Sequence, residues 1–262
     1  LLIYMNNLNL KSLFNFNNKV VLITGCSGQI GSEVAKLFLN LGSKVCGLDK
    51  IEGKIKHKKY QFIKADITNK TSIKKKIASL IKKNKNIDVI INTAAVSIFT
   101  KYDKRTNLEL NKTIDTNIKG LLNVINSYVD LHKKKKLKKC SIINMGSIYG
   151  FLSPDFGIYG SRDRYSSEIY GASKAAVIQL TKYYSVMLRK YKINVNCLSP
   201  GGIFNSKKPQ NKRFVKNYSK RVPLNRMGDV ENLFTGILFL ASDQSNYING
   251  QNIIIDGGLS TW

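Results

Sequence analysis

KVVLITGCSGQIG, residues 19–31, joins an unbroken apolar run to a turn punctuated by glycines. Val20 to Thr24 shows no polar alternation, the pattern of a parallel strand covered on both faces. Gly25, Gly28 and Gly31 follow at three-residue spacing, and Ser32 to Asn40 carries Val34, Leu37 and Phe38 at helical spacing. Strand, tight turn and helix in this order suit a pyrophosphate. The first glycine permits the turn, the second lets backbone N–H groups approach the phosphates, and the third lets the helix pack on the strand with its dipole facing them. A glycine-rich turn can also be only a turn; its place between a buried strand and a helix gives it meaning.

Working outward, Ser43 to Asp49 (SKVCGLD) predicts a second strand ending in an acid 18 residues past Gly31. A carboxylate there would accept both hydroxyls of an adenosine ribose, the plain alternative being an acid that closes a surface strand. Tyr60 to Asp66 alternates as a third strand, and Asp66 is placed to cap a helix or meet an adenine ring. Helices are predicted over Thr71–Lys83, Leu108–Leu131, Ile169–Lys190 and Glu231–Ala241. Further strands are predicted over Val89–Asn92, Ser141–Met145, Ile193–Leu198 and Asn252–Ile255. Strands alternating with helices imply an α/β fold, a Rossmann-like doubly wound parallel sheet of about seven strands in three layers, with its site along the strands' carboxyl ends.

No linker or internal repeat divides the 262 residues, so one domain over 19–262 is expected after a lead segment 1–18. Cys26, Cys46, Cys140 and Cys197 lie far apart without zinc-ligand spacing, and only His57 and His132 could assist them. They read as buried small hydrophobes in a reducing compartment, with no metal expected. No run approaches the length of a membrane span and no secretory signal pattern opens the chain, so a cytoplasmic protein is expected. The net charge of +27 invites a nucleic-acid reading through clusters such as KKKKLKK at 133–139. Against it, 36 Lys beside 7 Arg, with 27 Asn and 30 Ile, is what codons rich in A and T produce, and the clusters lack interleaved aromatics for base stacking. No specific nucleic-acid partner is expected.

Tyr170 and Lys174, four apart on a predicted helix, leave the same face. The spacing alone is uninformative, since Tyr60 and Lys64 share it. Those two fall in a strand, where four residues span about 13 Å. Tyr170 instead opens the helix that follows the strand delivering Ser147. A cation one turn from a phenol stabilises phenolate, which suits general acid/base work.

The span from Lys19 to Gly258 resembles the short-chain dehydrogenase/reductase family. TGCSGQIG, Asp49, Asp66, NTAA at 92–95, Asn117 in DTNIKG, Ser147 in NMGSIYG, YGASK, SPGGI and the closing IDGG occur in the family's order. The resemblance implies Tyr170 as proton donor or acceptor, Ser147 on the reacting oxygen, Lys174 on the nicotinamide ribose, and Asn117 holding a water that links Lys174 to solvent. It implies NAD as cofactor, with NADP the alternative. The cofactor would be bound by Gly25, Ser27, Gln29, Ile30, Asp49, Asp66, Ile67, Asn92, Ala94, Ala95, Pro200, Gly201 and Ile203 together with Tyr170 and Lys174. A homodimer or homotetramer is implied as well.

Three features depart from the short branch of the family: TGxxGxxG, NTAA, and the 23 residues from Ser147 to Tyr170. Asn205 stands where a Thr often contacts the cofactor. The segment 149–168 is expected over the substrate, with Arg162 and Arg164 to clamp a phosphate or carboxylate and aromatics to pack on a sugar face. With the resemblance to reductases associated with bacterial surface-polysaccharide and sugar biosynthesis, a sugar-derived or nucleotide-linked small-molecule substrate is expected. The alternatives are a 3-ketoacyl thioester reductase and a dinucleotide sensor without turnover; a sensor need not keep Tyr170 and Lys174.

Overall fold

The computed structural model describes residues 14–159 and 165–262. Seven parallel strands form one sheet in the order β3-β2-β1-β4-β5-β6-β7. They are β1 (Val20–Thr24), β2 (Lys44–Asp49), β3 (Tyr60–Lys64), β4 (Val89–Asn92), β5 (Cys140–Met145), β6 (Ile193–Pro200) and β7 (Asn252–Ile255). Every residue of β1 and β4 is buried, as apolar runs between two helical layers require.

Successive side chains of these strands enter opposite layers. Leu22, Ile90 and Ile142 pack with α2 (Lys70–Asn84), α4 (Leu121–Lys135) and α5 (Glu168–Leu188) through Ile73, Ile77, Val124, Tyr128 and Val177. Ile23, Ile91 and Ile143 pack with α1 (Gln29–Asn40) and α7 (Phe234–Ala241) through Val34, Phe38, Ile237 and Leu240. Each such side chain, fully buried, contributes about 1.5–3 kcal/mol. Phe16, within the lead segment, joins this second layer with its ring edge-on to Phe38 at 5.1 Å.

The helix expected over 108–131 is interrupted. α3 (Asn107–Ile114) passes into one π-helical stretch, Asp115–Gly120, before α4. α6 (Lys212–Arg221) lies where no element is expected from the sequence. Its apolar stripe is only Phe214, Val215 and Tyr218 among seven polar residues, and Asn211 caps it by accepting the Arg213 N–H at 2.8 Å. All four cysteines are buried and free. Among the described residues no helix is long and apolar enough to cross a membrane.

Chain order reverses between β1 and β4, which opens a crevice beyond their carboxyl ends. A Cβ on Gly31 would stand 2.2 Å from the Gly25 carbonyl oxygen and 2.7 Å from Thr93 Oγ1. Gly31→Ala is therefore expected to destabilise the fold by about 2 kcal/mol or more and to weaken NADH binding. Urea unfolding and NADH fluorescence check this; unchanged values for both would mean that the α1–β1 packing can relax.

Candidate active site

The glycine turn lies at the switch point. Gly25 has φ +70°, and a Cβ there would meet the Ala94 backbone at 2.7 Å. The Thr93 hydroxyl donates to the Thr24 carbonyl at 2.6 Å, and the Thr24 hydroxyl accepts the Ala94 N–H at 3.4 Å, tying the ends of β1 and β4 together. Gly28 opens α1 with no side chain capping it and no acid in the first turn. Asp49 leans over this turn: its carboxylate accepts the Ser27 N–H at 3.0 Å and the Ile51 N–H at 3.3 Å. The Gln29 amide reaches across to donate to the Phe204 carbonyl at 2.5 Å, and Ile30 packs into the core behind.

The remaining expected cofactor residues divide. Asp66 does not cap a helix; Asn69 does, accepting the Ser72 N–H at 2.9 Å. Asp66 instead accepts from the Thr68 N–H and hydroxyl and pairs with Lys50 at 2.8 Å. Burial alone would raise its carboxyl, but Lys50 and Thr68 outweigh it and hold the group below the usual range. Ile67 is buried against Gly120. Asn92 is buried in a ladder, donating to Asn144 Oδ1 at 2.9 Å, with Asn144 donating in turn to the Thr181 hydroxyl at 2.9 Å. Ala95 is exposed and Ala94 half-buried at the crevice edge. Pro200 ends β6, the Gly201 N–H bonds Ile255 at 2.9 Å, and Ile203 bridges Gly228. The Asn205 carboxamide turns into its own loop, accepting the Lys207 and Lys208 N–H groups at 3.1 Å each.

Ser147 stands just past β5 in extended backbone, its hydroxyl accepting the Tyr149 N–H at 3.2 Å. α5 begins at Glu168, capped by the Ser167 hydroxyl, which accepts the Tyr170 N–H at 3.1 Å. This start brings the Tyr170 phenol within the influence of the Ser147 hydroxyl, which lowers it. Lys174, one turn on, is 4% exposed; its ammonium donates to the Met145 carbonyl at 2.6 Å and lies 5.7 Å from the Tyr170 ring centroid. Asn117 sits in the π-helical stretch with its side chain engaged: Oδ1 accepts the Val96 N–H at 2.8 Å, and Nδ2 donates to the Val96 carbonyl and Ser173 hydroxyl at 3.0 Å each. The Ser173 hydroxyl donates to the Tyr170 carbonyl at 2.7 Å, so Asn117 braces the turn that carries the phenol.

The electrostatics depart from the expectation that Lys174 lowers the phenol. Burial raises the Tyr170 phenol, against the lowering by its Ser147 bond, and burial also pushes the Lys174 ammonium down to about 8. The chain by itself disfavours both charges.

A cavity of about 780 Å³ lies over Tyr170, within the range of small-molecule pockets. Gln29 and Gly201 to Ile203 line it on one side, and Tyr149, Tyr159, Phe214 and Tyr218 on the other. The Tyr149 and Tyr159 hydroxyls meet at 3.2 Å, and the Tyr159 ring lies 5.3 Å from Phe214. Arg162 and Arg164 fall outside the described residues. The wall from α6 was missed in the sequence because its stripe is so short. Arg105 was missed too: its guanidinium, 4% exposed, bonds the Thr100 carbonyl and the Glu168 carboxylate, clasping the loop after β4 to the first turn of α5. A single Arg in a basic chain gives no signal of such a role.

The cradle fits a dinucleotide: an uncapped helix N-terminus behind a glycine turn, with a carboxylate beside it. Residues 25–260 match the family described as enoyl-(acyl carrier protein) reductase. The chain is 33% identical over 253 residues to a 3-oxoacyl-(acyl-carrier-protein) reductase of Thermotoga maritima, covering 92% of this chain and 97% of the relative. It is 30% identical over 253 residues to an NAD-dependent glycerol dehydrogenase of Listeria innocua, covering 94% and 95% respectively. The fold matches that of a short chain dehydrogenase from Leptospira borgpetersenii with bound NAD+ at a TM-score of 0.88 and 41% identity, with 94% of each chain covered. The chain therefore belongs to the short-chain dehydrogenase/reductase family, and it is an oxidoreductase.

Lys174 carries a test of the burial argument. Between about 8 and its unfolded value of 10.5 the unfolded chain holds this proton and the native chain does not, so stability rises with pH across that window. Below about 8 the cost of the buried charge, on the order of 3 kcal/mol, is present in full. The stability of wild type relative to Lys174→Met is thus expected to rise from pH 8 to 10.5, read by urea unfolding; a flat difference would show that the ammonium is not destabilised by burial.

Proposed function

We propose that this chain is an NAD(P)-dependent dehydrogenase/reductase that interconverts a carbonyl and a hydroxyl on a small, sugar-derived or nucleotide-linked substrate. The observation that carries the reading is the meeting of the Tyr170 phenol, the Ser147 hydroxyl and the Lys174 ammonium beneath a cavity that also reaches Gln29 and Ile203. When bound, NAD(P) supplies or accepts the hydride and, oxidised, adds a positive ring charge. Gly25, Ser27, Gln29, Ile67, Ala94, Gly201 and Ile203 would line its path, and Asp49 would take the adenosine ribose hydroxyls. Asp49 favours NAD(H), since a 2′-phosphate would face a carboxylate, and the adjoining Lys50 is paired with Asp66.

In reduction, Ser147 donates a hydrogen bond to the substrate carbonyl oxygen and Tyr170 gives that oxygen its proton as the carbon gains hydride. In oxidation, the phenolate takes the proton back. Lys174 stabilises the phenolate and binds ribose hydroxyls, and the phenolate recovers its proton from solvent past Lys174. The side chain of Asn117 is engaged with Val96 and Ser173, so its part is to fix the first turn of α5. Retention of Tyr170 and Lys174 speaks against a sensor without turnover.

Support for the sugar reading is a wall that mixes tyrosine rings with hydroxyl and amide groups, Ser97, Ser166 and Asn211 among them. The second reading, a 3-ketoacyl thioester reductase, is favoured by the Thermotoga maritima relative. Oxidation of NADH and NADPH over a panel of keto-sugars, nucleotide sugars and ketoacyl thioesters separates the two. Expected are faster turnover with NADH, a sugar-derived substrate, and loss of all but a few per cent of that rate in Tyr170→Phe with NADH affinity kept. Preference for a thioester would overturn the substrate assignment, and a brisk Tyr170→Phe the acid/base assignment.

Exposed Tyr183 and Val186 on α5, with Ile254 on the outermost strand β7, support a homo-oligomer. Light scattering at micromolar concentration is expected to give a dimer or tetramer; a monomeric mass would refute it.

A further inference from the structure

Of the seventeen described residues lining the cavity over Tyr170, one bears a charge, and it is Arg213. No carboxylate is among them. Acids on neighbouring elements are engaged elsewhere: Asp155 with Arg221, Glu168 with Arg105, Glu33 with Lys36 and Lys207, and Asp256, behind Gly201, with the Gly258 and Ser260 N–H groups. Arg213 forms no ion pair among the described residues.

The backbone that carries Arg213 is held in a fixed place. It lies in the first turn of α6, which Asn211 caps, and three contacts secure the rest of that helix. The Tyr218 hydroxyl accepts the Gly202 N–H at 2.5 Å, the Asn217 amide donates to the Ile158 carbonyl at 3.4 Å, and Arg221 pairs with Asp155 at 3.0 Å. The neighbouring Gln210 side chain is turned into its own loop, bonding Ile203 and Asn205, so it does not compete for a ligand at this position. A guanidinium without an ion pair among the described residues, presented by a braced helix at the edge of a cavity whose described lining holds no acid, selects for an anion, which it can grip through two parallel N–H bonds. The net charge of +27 draws such a ligand toward the protein.

We infer that Arg213 is a specificity residue that binds an anionic group, a carboxylate or a phosphate monoester, carried by the substrate away from its reacting carbon. The inference rests on the sugar reading of this site and narrows it: the substrate is a sugar acid or a sugar phosphate, and a neutral sugar is a poor one. Tyr149, Tyr159 and Phe214 then face the carbon skeleton between the two polar ends.

The NADH complex of the full chain, titrated calorimetrically with glucose, gluconate and glucose 6-phosphate, tests this without depending on turnover. Gluconate or glucose 6-phosphate is expected to bind about tenfold or more tightly than glucose, and which of the two does so identifies the anion. Arg213→Ala should erase that margin, Arg213→Lys should keep part of it, and both should leave NADH affinity and the melting temperature unchanged, because the side chain is exposed. Equal binding of all three, no binding of any, or a margin that survives Arg213→Ala overturns the anion assignment. Separately, turnover of acetoacetyl-CoA by a protein to which none of the three sugars binds overturns the sugar reading beneath it.

Discussion

The close approach of two backbones, Gly25 at the end of β1 and Ala94 beyond β4, is the constraint on which the rest of the molecule depends. No side chain fits between them, since a Cβ on Gly25 would lie 2.7 Å from the Ala94 Cα. Because β1 pairs with β2 on one side and β4 on the other, this contact marks where the sheet's two halves diverge and where their loops leave room for a ligand. The threonines on either side serve the same end: Thr24 and Thr93 exchange hydrogen bonds with the opposite loop, so the crevice walls are set before any ligand arrives. The nucleotide cradle and the cavity over Tyr170 are both built outward from that point.

Burial sets the chemistry of the second half. An ammonium and a phenol lie together under the cavity, each in its neutral form more readily than in water. Taken alone this is a poor acid/base pair. The Met145 carbonyl offers Lys174 one acceptor, and Ser147 offers Tyr170 one partner, which leaves the balance sensitive to any further charge placed beside them. On the proposed reading, the positive ring that an oxidised NAD(P) would supply would favour the phenolate form of Tyr170.

Much of this was legible in the sequence. β1, β4 and the glycine turn follow from runs with no polar interruption and from glycines whose positions leave few alternatives. Tyr170 and Lys174 were separable from Tyr60 and Lys64 only by the type of element each pair occupies. What stayed hidden has physical causes. α6 buries Tyr218 and little else, so its pattern falls below what periodicity detects. The π-helical stretch carries Asn117 to hydrogen bonds with Val96 and Ser173, residues 21 and 56 positions away, contacts that the local sequence does not display. Asp66 read as a cap because Asp is a good one, but Asn69 reached the position first and Lys50 took the carboxylate. Arg105 depends wholly on tertiary contact: the two loops it joins are 63 residues apart.

Strand order also fixes the sequence in which the working parts come into being as the chain leaves the ribosome. β1 to β3 add one way and β4 to β7 the other, each new strand beside one already made. Synthesis therefore finishes the glycine turn and the crevice beside it with β4, then brings Ser147 after β5, Lys174 on α5 and Gly201 after β6. α6, which closes the cavity, comes after six strands and before only β7. A nascent chain of this fold thus has its glycine turn and Asp49 in place well before the residues that surround the cavity over Tyr170.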